Sequence, residues 1–131
     1  MVVLEGPART APLKTVMLVE DDPLLREVIA MALEDGGVNL LVAENGEDAL
    51  RQLRDARPLP TLIFLDLLMP VMDGRQFREA QLADPALAAI PVILMSAHGD
   101  ASEAAREMGV TTWLKKPLDL RVILKAVEDN A

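Results

Sequence analysis

The stretch TLIFLDLLMPVMDG, residues 61–74, decides the fold of this 131-residue chain. Four large apolar residues, 62–65, lead directly into Asp66, and a turn sequence that ends at Gly74 follows. A continuous apolar run bounded by turn residues is typical of a strand buried on both faces of a parallel sheet. Asp66 is therefore predicted to end this strand, at the sheet edge where open α/β folds bind ligands. A carboxylate half out of water there needs a partner charge, a metal ion or a proton.

The composition limits the classes of function that are open to the chain. It has 13 basic and 21 acidic residues, and this net charge of −8 disfavours contact with nucleic acid or anionic lipid. Cysteine is absent, which excludes disulfides and thiolate metal sites. No uncharged stretch reaches the ~20 residues of a membrane helix, and Glu5 interrupts the apolar N-terminus too early for a signal peptide. We expect a soluble cytoplasmic protein without direct nucleic-acid or membrane partners.

The length predicts one domain, which we place at residues 14–131. Residues 1–13 contain glycine and proline without periodicity, and we expect a disordered leader or an expression remnant there. Apolar strand patterns and helical patterns then alternate five times. Strict alternation with right-handed crossovers predicts a parallel sheet covered on both faces, which is a three-layer α/β/α sandwich. The predicted strands are 15–19, 38–43, 62–66, 91–95 and 110–114.

Caps, stops and apolar repeats predict the helices. The first helix has Asp22 as its N-cap and ends at Gly36-Gly37, and Asp119 caps the last. We assign Asp22 to capping, because a helix that begins with Pro23 is sufficient to explain an acidic residue at position 22. Core-facing positions are predicted at Leu25, Val28, Ile29 and Ala32 in the first helix, Ala49, Leu50 and Leu53 in the second, Phe77 in the third, Ala101, Ala104, Ala105 and Met108 in the fourth, and Leu120, Ile123, Leu124 and Val127 in the fifth.

Polar residues of four predicted strands meet at one sheet edge. Glu20 and Asp21 follow the first strand, Asp66 ends the third, Ser96 follows the fourth and Lys116 the fifth. Crowded carboxylates cannot all stay ionised without a cation, and hard oxygen donors without histidine or cysteine suit Mg²⁺. The set suits phosphoryl transfer to Asp66, with Mg²⁺ and the Lys116 ammonium neutralising the phosphoryl oxygens while Ser96 donates a hydrogen bond. The expected product is an acyl phosphate.

Four motifs in this order resemble the receiver domain of response regulators in bacterial two-component signalling, within the CheY-like superfamily. They are VMLVEDDP (16–23), IFLDLLMPVMDG (63–74), PVILMSA (91–97) and WLKKP (113–117). The resemblance covers residues 15–127, nearly all of the chain. It implies a flavodoxin-like (βα)₅ fold with strand order 2-1-3-4-5. It also implies a signalling module that is not an enzyme and that catalyses only its own phosphorylation and dephosphorylation.

The resemblance implies a role for each residue that touches the phosphoryl group or the metal ion. Asp66 corresponds to the phosphoacceptor and Lys116 to the phosphate-binding lysine. Mg²⁺ would be bound by Asp21, Asp66 and the main-chain carbonyl of Leu68, with Glu20 acting through water. The phosphoryl donor would be a sensor histidine kinase or a histidine phosphotransfer protein, and the downstream effector is a protein that the sequence does not identify.

The resemblance also implies a switch. Ser96 matches the switch hydroxyl and Trp113 the aromatic residue whose rotamer responds to phosphorylation, which changes the face of the fourth helix, fifth strand and fifth helix. The Lys116–Pro117 peptide bond is expected to be cis. The segment 96–116 is slightly short, and Thr111-Thr112 replaces the acidic pair common in the family. We therefore expect a monomer or weak dimer.

Three other functions remain as alternatives. The first is a receiver-like interaction module that is not phosphorylated. A phosphohydrolase of the aspartate-nucleophile class would carry a second acid where this chain has Leu68. A flavin-binding protein would need a hydroxyl- and glycine-rich loop where Glu20, Asp21 and Asp22 stand.

Lys115 is expected to be a surface lysine, and His98 is either a solvated loop imidazole or a residue that influences hydrolysis of the phosphoryl group.

Overall fold

The computed structural model describes residues 14–97, 99 and 101–131, so the predictions for residues 1–13 and for His98 lie outside the described residues. Strands and helices alternate along this part of the chain. Their bounds are β1 Thr15–Val19, α1 Pro23–Asp35, β2 Asn39–Ala43, α2 Gly46–Asp55, β3 Leu62–Asp66, α3 Gly74–Ala83, β4 Val92–Ser96, α4 Ala101–Met108, β5 Thr112–Lys115 and α5 Leu120–Asn130. Within the described ranges, no helix is long and apolar enough to cross a membrane.

The five strands form one parallel sheet in the order β2-β1-β3-β4-β5, which confirms the predicted three-layer, flavodoxin-like fold. The register brings the carboxyl ends of neighbouring strands level. Val19 is paired with Leu65, Asp66 with Met95, and Ser96 with Lys115. The residues that end β3 and β4 and those that follow β1 and β5 therefore lie at one edge of the sheet.

Two hydrophobic cores lie on opposite faces of the sheet, because successive strand residues point to opposite sides. Val16, Leu18 and Phe64 pack on one face against Ile29 of α1 and Ile123 of α5. On the other face, α2, α3 and α4 cover the sheet, and their buried residues include Leu50, Leu53, Phe77, Ala104, Ala105 and Met108. Every residue of β1, β3 and β4 is buried, which explains why these strands have continuous apolar sequences.

Side-chain caps fix where the helices begin. Asp22 accepts hydrogen bonds from the main-chain N–H groups of Leu24 and Leu25, and Asp119 accepts one from Arg121, which confirms both predicted N-caps. Asp73 and Gln76 form a reciprocal capping box at the start of α3. The helices that follow β1, β3 and β5 therefore start at defined residues beside the carboxyl edge of the sheet.

The core-facing prediction was correct for α2, α3 and α4 and partly wrong for α1 and α5. In α1, Val28 is 45% exposed and the buried side chains are Ile29 and Leu33. The buried line runs at a spacing of four residues, and Val28 lies about 100° around the helix from Ile29. In α5, Leu120 and Leu124 are each 37% exposed, whereas Ile123, Ala126 and Val127 are buried. Periodicity predicted the amphipathic helices correctly, but in α1 and α5 it assigned part of the buried face to residues adjacent to the buried ones.

The predicted strand bounds differ most at β2 and β5, and both differences have one cause. The N–H of Val38 donates to Leu33 O at the end of α1, and the N–H of Val110 donates to Ala105 O at the end of α4. Val38 and Val110 each follow a glycine with positive φ, which is 88° at Gly37 and 70° at Gly109. These N–H groups close the helices, so β2 begins at residue 39 and β5 at residue 112. The end of β4 extends one residue beyond the prediction, to Ser96.

Candidate functional site

A cavity of about 270 Å³ opens at the carboxyl edge of the sheet. Its lining residues come from the ends of β1, β3, β4 and β5 and the loops that follow them, namely Glu20, Asp21, Asp22, Asp66, Leu67, Leu68, Ser96, Ala97 and Lys116. All the residues that we predicted to be catalytic or to bind metal therefore meet at this cavity. Trp113, predicted as part of the switch, lines a different groove.

One ammonium group lies between two buried carboxylates in this cavity. Nζ of Lys116 donates to Oε1 of Glu20 at 2.8 Å and lies 3.2 Å from Oδ1 of Asp66. The second carboxylate oxygen of Glu20, Oε2, accepts the main-chain N–H of Asp22 at 3.1 Å. The Glu20 side chain is fully buried, and only 7% of the Asp66 side chain is exposed. Both oxygens of Glu20 are therefore engaged by the protein itself.

The acidic residues of the cavity fit a hard divalent cation. Glu20, Asp21 and Asp66 each offer a carboxylate oxygen, and these oxygens all lie within 4.8 Å of one another. The single positive charge of Lys116 cannot neutralise three carboxylates. Oxygen donors alone, without histidine or cysteine, are the ligand set that Mg²⁺ prefers. Leu68, whose main-chain carbonyl we predicted to bind the metal ion, also lines the cavity.

Burial and charge shift the pKa values of the central pair. Burial raises the pKa of Asp66 from 3.8 to about 7, the charge of Glu20 adds to this rise, and the Lys116 ammonium only partly offsets it. Burial lowers the pKa of Lys116, but its hydrogen bond to Glu20 and the charge of Asp66 outweigh that effect and leave it raised. Lys116 is therefore a permanent cation at neutral pH, while Asp66 exchanges its proton close to neutrality.

The raised pKa of Asp66 predicts a pH-dependent stability without metal. Between pH 4 and pH 7 the folded state retains a proton that the unfolded state has released, so the free energy of unfolding falls as the pH rises through this range. The full shift corresponds to about 4 kcal/mol, of which roughly 3 kcal/mol is lost between pH 5 and pH 8. Urea unfolding in a chelating buffer at pH 5 and pH 8 checks this. Asp66→Asn should lack this fall, and exposed Asp55→Asn should follow the parent. Parallel pH profiles for the parent and Asp66→Asn would contradict the assignment.

Arg26 on α1 is a residue of the site that the sequence analysis missed. Its Nη1 donates to the main-chain oxygen of Glu20 at 2.9 Å and approaches that of Asp21 at 3.4 Å. The guanidinium therefore helps to fix the loop that carries two acidic residues of the cavity. The available signal was an arginine one turn after the Asp22 N-cap, where its side chain can fold back over the helix N-terminus.

The loop after β3 is held by close backbone contacts. The N–H of Gly74 donates to Leu67 O at 2.8 Å, and a Cβ at Gly74 would lie 2.7 Å from the main-chain oxygen of Asp66. Farther along the loop, the N–H of Met72 donates to Pro70 O at 2.8 Å around Val71, which has a φ of 70°. This is a γ-turn with positive φ at its central residue, which is strained, and such a φ is unusual for a β-branched residue. Gly74 therefore permits the approach that places Asp66 at the cavity.

We expect Gly74→Ala to destabilise the protein by about 2 kcal/mol and to weaken Mg²⁺ binding, because the added methyl group meets rigid backbone at the base of the site. Urea unfolding and a Mg²⁺ titration followed by Trp113 fluorescence measure the two effects. Gly37→Ala is the control, since it adds a Cβ at positive φ with no atom within 4 Å. That control should lose stability without losing Mg²⁺ affinity. An unchanged Gly74→Ala variant would show that the loop adapts.

The predicted switch residues lie on one pair of strands. Ser96 is buried at the end of β4, and its main-chain oxygen accepts the N–H of Lys116 at 2.9 Å. Trp113 on β5 is paired with Leu94, is 43% exposed, and lies in a groove of about 710 Å³ between α4 and β5. The Lys116–Pro117 peptide bond is cis, as expected. The cavity and the groove are thus connected through two neighbouring strands.

Comparison with known sequences identifies relatives along nearly the whole chain. The family profile described as the response regulator receiver domain matches residues 16–128. The transcriptional regulatory protein GlrR of Escherichia coli K12 is 37% identical over 116 residues, which are 86% of this chain and 25% of that protein. PhoB of Pseudomonas aeruginosa, a phosphate regulon transcriptional regulatory protein, is 34% identical over 119 residues, 87% of this chain and 51% of PhoB. The chain thus spans a quarter to a half of these regulators.

Solved structures agree with these sequence matches. The chemotaxis protein CheY4 of Vibrio cholerae superposes with a TM-score of 0.82 at 25% identity, covering 92% of this chain and all of CheY4. A response regulator receiver protein from Pseudomonas putida gives a TM-score of 0.83 at 28% identity, with coverage of 92% and 100%. Together with the profile match, the strand order and the acidic cavity, these similarities show that the chain belongs to the response regulator receiver domain family.

Proposed function

We propose that this chain is the phosphoacceptor of a two-component phosphorelay and takes a phosphoryl group onto Asp66 from a sensor histidine kinase or a histidine phosphotransfer protein. Receiver domains are signalling modules that interact with histidine kinases and effectors and bind Mg²⁺ at an acidic pocket. The observation that carries the proposal is Asp66 itself, at the end of β3 in the cavity, 3.2 Å from the Lys116 ammonium. That arrangement combines a nucleophilic oxygen with a fixed positive charge.

The proposed transfer exchanges one bond for another. An oxygen of ionised Asp66 forms a bond to phosphorus as the bond from phosphorus to the donor imidazole breaks, and the imidazole leaves with the bonding electrons. The Lys116 ammonium, now beside Oδ1 of Asp66, is positioned to donate to a phosphoryl oxygen instead. The Ser96 hydroxyl donates a second hydrogen bond from the adjacent strand end. The chain thus supplies its own catalysis of phosphorylation and, with water as acceptor, of dephosphorylation.

Asp21, Asp66 and the main-chain carbonyl of Leu68 would hold Mg²⁺, which supplies charge neutralisation at the phosphoryl oxygens when bound. The contacts of Glu20 support an indirect role for that residue. Both of its carboxylate oxygens accept hydrogen bonds, from Lys116 and from the N–H of Asp22. Glu20 therefore orients Lys116, and it would act on a bound cation through water.

Phosphorylation adds close to two negative charges at the cavity and so favours conformations that bring hydrogen-bond donors toward it. We propose that Ser96 moves inward and Trp113 repacks, which shifts a pre-existing equilibrium of the α4-β5-α5 face. An unidentified effector protein binds that face and responds to its conformation. We further propose a cytoplasmic monomer or weak dimer that makes no direct contact with nucleic acid or membrane.

Acetyl phosphate or beryllofluoride, each with Mg²⁺, tests the proposed function. With acetyl phosphate, the proposal requires a phosphoryl adduct on the peptide that contains Asp66, detected by its mass. With either reagent, it requires a change in Trp113 fluorescence. Neither signal should appear when Mg²⁺ is chelated. If mass and fluorescence both stay constant, the chain acts instead as the alternative, a receiver-like interaction module that does not accept phosphate.

A further inference from the structure

A buried polar bridge joins α3 to the connection between α3 and β4. The Gln81 side chain on α3 is fully buried. Its Nε2 donates to Leu87 O at 3.0 Å and to Ile90 O at 2.9 Å, while its Oε1 accepts Nη1 of Arg78 at 2.8 Å. Buried polar groups are costly when their partners are lost, so this amide holds its surroundings in one arrangement.

Arg78 continues the bridge to the C-terminal end of α4. Its Nε donates to Met108 O at 2.9 Å and its Nη2 to Gly109 O at 3.0 Å. The last carbonyls of a helix lack partners within the helix, and a positive charge is favourable there. A surface ion pair between Arg75 on α3 and Glu107 on α4, at 2.8 Å, connects the same two helices. The C-terminal end of α4 is therefore attached to α3 by side chains as well as by apolar packing.

The two ends of α4 differ in what they adjoin. Its first residue, Ala101, follows the Ser96 end of β4 by five positions, so this end lies next in sequence to the candidate site. The groove that contains Trp113 is lined by one side of this helix. It is lined by Ser102, Glu103 and Arg106 on α4 and by Gly109, Val110 and Thr111 beyond its end. One end of the groove thus lies at the start of α4, and the other includes Gly109, whose main-chain oxygen belongs to the bridge.

We propose that the Arg78–Gln81 bridge anchors the C-terminal end of α4, so that phosphorylation displaces the N-terminal end of the helix and leaves residues 106–110 in place. This inference rests on the proposed function and specifies which part of the output surface changes. An effector that distinguishes the phosphorylated state then contacts the end of the groove at Ser102 and Glu103 beside Trp113. Contacts made only at Gly109 and Val110 are the same in both states.

Amide hydrogen exchange of the full chain, with and without beryllofluoride and Mg²⁺, tests the inference. The amides of residues 105–107, whose helical acceptors are the carbonyls of residues 101–103, are expected to change their exchange at least fivefold, and the amides of residues 108–110 less than twofold. Equal changes along the whole helix would overturn the anchor. If beryllofluoride alters neither Trp113 fluorescence nor exchange anywhere, the proposed function fails, and the displacement inferred for α4 fails with it.

Variants of Arg78 test the anchor in the unmodified protein, independently of phosphorylation. Arg78→Ala should increase exchange of the amides of residues 108–110 at least tenfold. Arg78→Lys keeps the charge without the planar fork and should give a smaller increase, which preserves the test if the alanine variant folds poorly. Arg51→Ala, which removes an exposed arginine on α2 paired with Asp48, is the control and should leave α4 unchanged. Parent-like exchange of the amides of residues 108–110 in Arg78→Ala would refute the anchor even if phosphorylation is confirmed.

Discussion

Replacing Asp66 with asparagine is expected to abolish incorporation of a phosphoryl group from acetyl phosphate while leaving the chain folded. Asparagine has nearly the same shape, but its amide is not a nucleophile and cannot form the acyl phosphate. The same exchange should stabilise the metal-free protein at pH 8, because it removes the ionised form that burial disfavours. Intact mass after incubation with acetyl phosphate and Mg²⁺ measures the first effect, and urea unfolding measures the second.

Asp55→Asn is the matched control for this prediction, since Asp55 is an exposed acid at the end of α2. It should incorporate phosphate at the parent rate. Incorporation into Asp66→Asn at a comparable rate would move the acceptor to another residue and remove the central element of the proposed function.

Replacing Lys116 with alanine is expected to slow phosphoryl incorporation by about a hundredfold or more. Lys116 is the only basic residue among the described residues that line the cavity, and loss of one preorganised donor to a transferring group typically costs this much. We also expect a loss of about 3 kcal/mol in the free energy of unfolding. Removing one partner of a buried ion pair leaves the other without compensation, and Glu20 is fully buried.

Lys115→Ala controls for the general effect of removing a lysine from this strand, because Lys115 is the exposed neighbour of Lys116. It should change neither the rate nor the stability by a measurable amount. Stopped-flow Trp113 fluorescence gives the rate and chemical denaturation gives the stability. Equal behaviour of the two alanine variants would exclude a specific role for Lys116.

The location of the site could be predicted from the sequence because a parallel sheet brings its strand ends together without further information. Once the strand before Asp66 was identified, the positions of Glu20, Ser96 and Lys116 followed from the alternation of strands and helices. Their contacts did not follow. That both oxygens of Glu20 are engaged depends on distances between loops, and sequence spacing does not encode these. The proposed roles of these residues came from the motifs.

Residues whose burial depends on a neighbouring helix were the ones that sequence patterns placed poorly. A polar residue in a helix is usually solvated, so the residue type of Gln81 did not indicate burial, although it lies one turn after the inward-facing Phe77. Likewise, Val28 and Leu33 are equally apolar, and only the contact of α1 with the sheet and α5 buries one and exposes the other. Tertiary packing selects among positions that local periodicity treats as equivalent.

The lysine that lies between Glu20 and Asp66 also makes folding of the domain independent of the divalent ion that phosphorylation would need. Many small metal sites form only when the ion arrives, because their ligands repel one another in its absence. Here the polypeptide brings its own counter-ion to the two buried acids, at 2.8 and 3.2 Å. Supply of divalent ions would then govern how fast the module accepts a signal, whereas assembly of the domain proceeds without them.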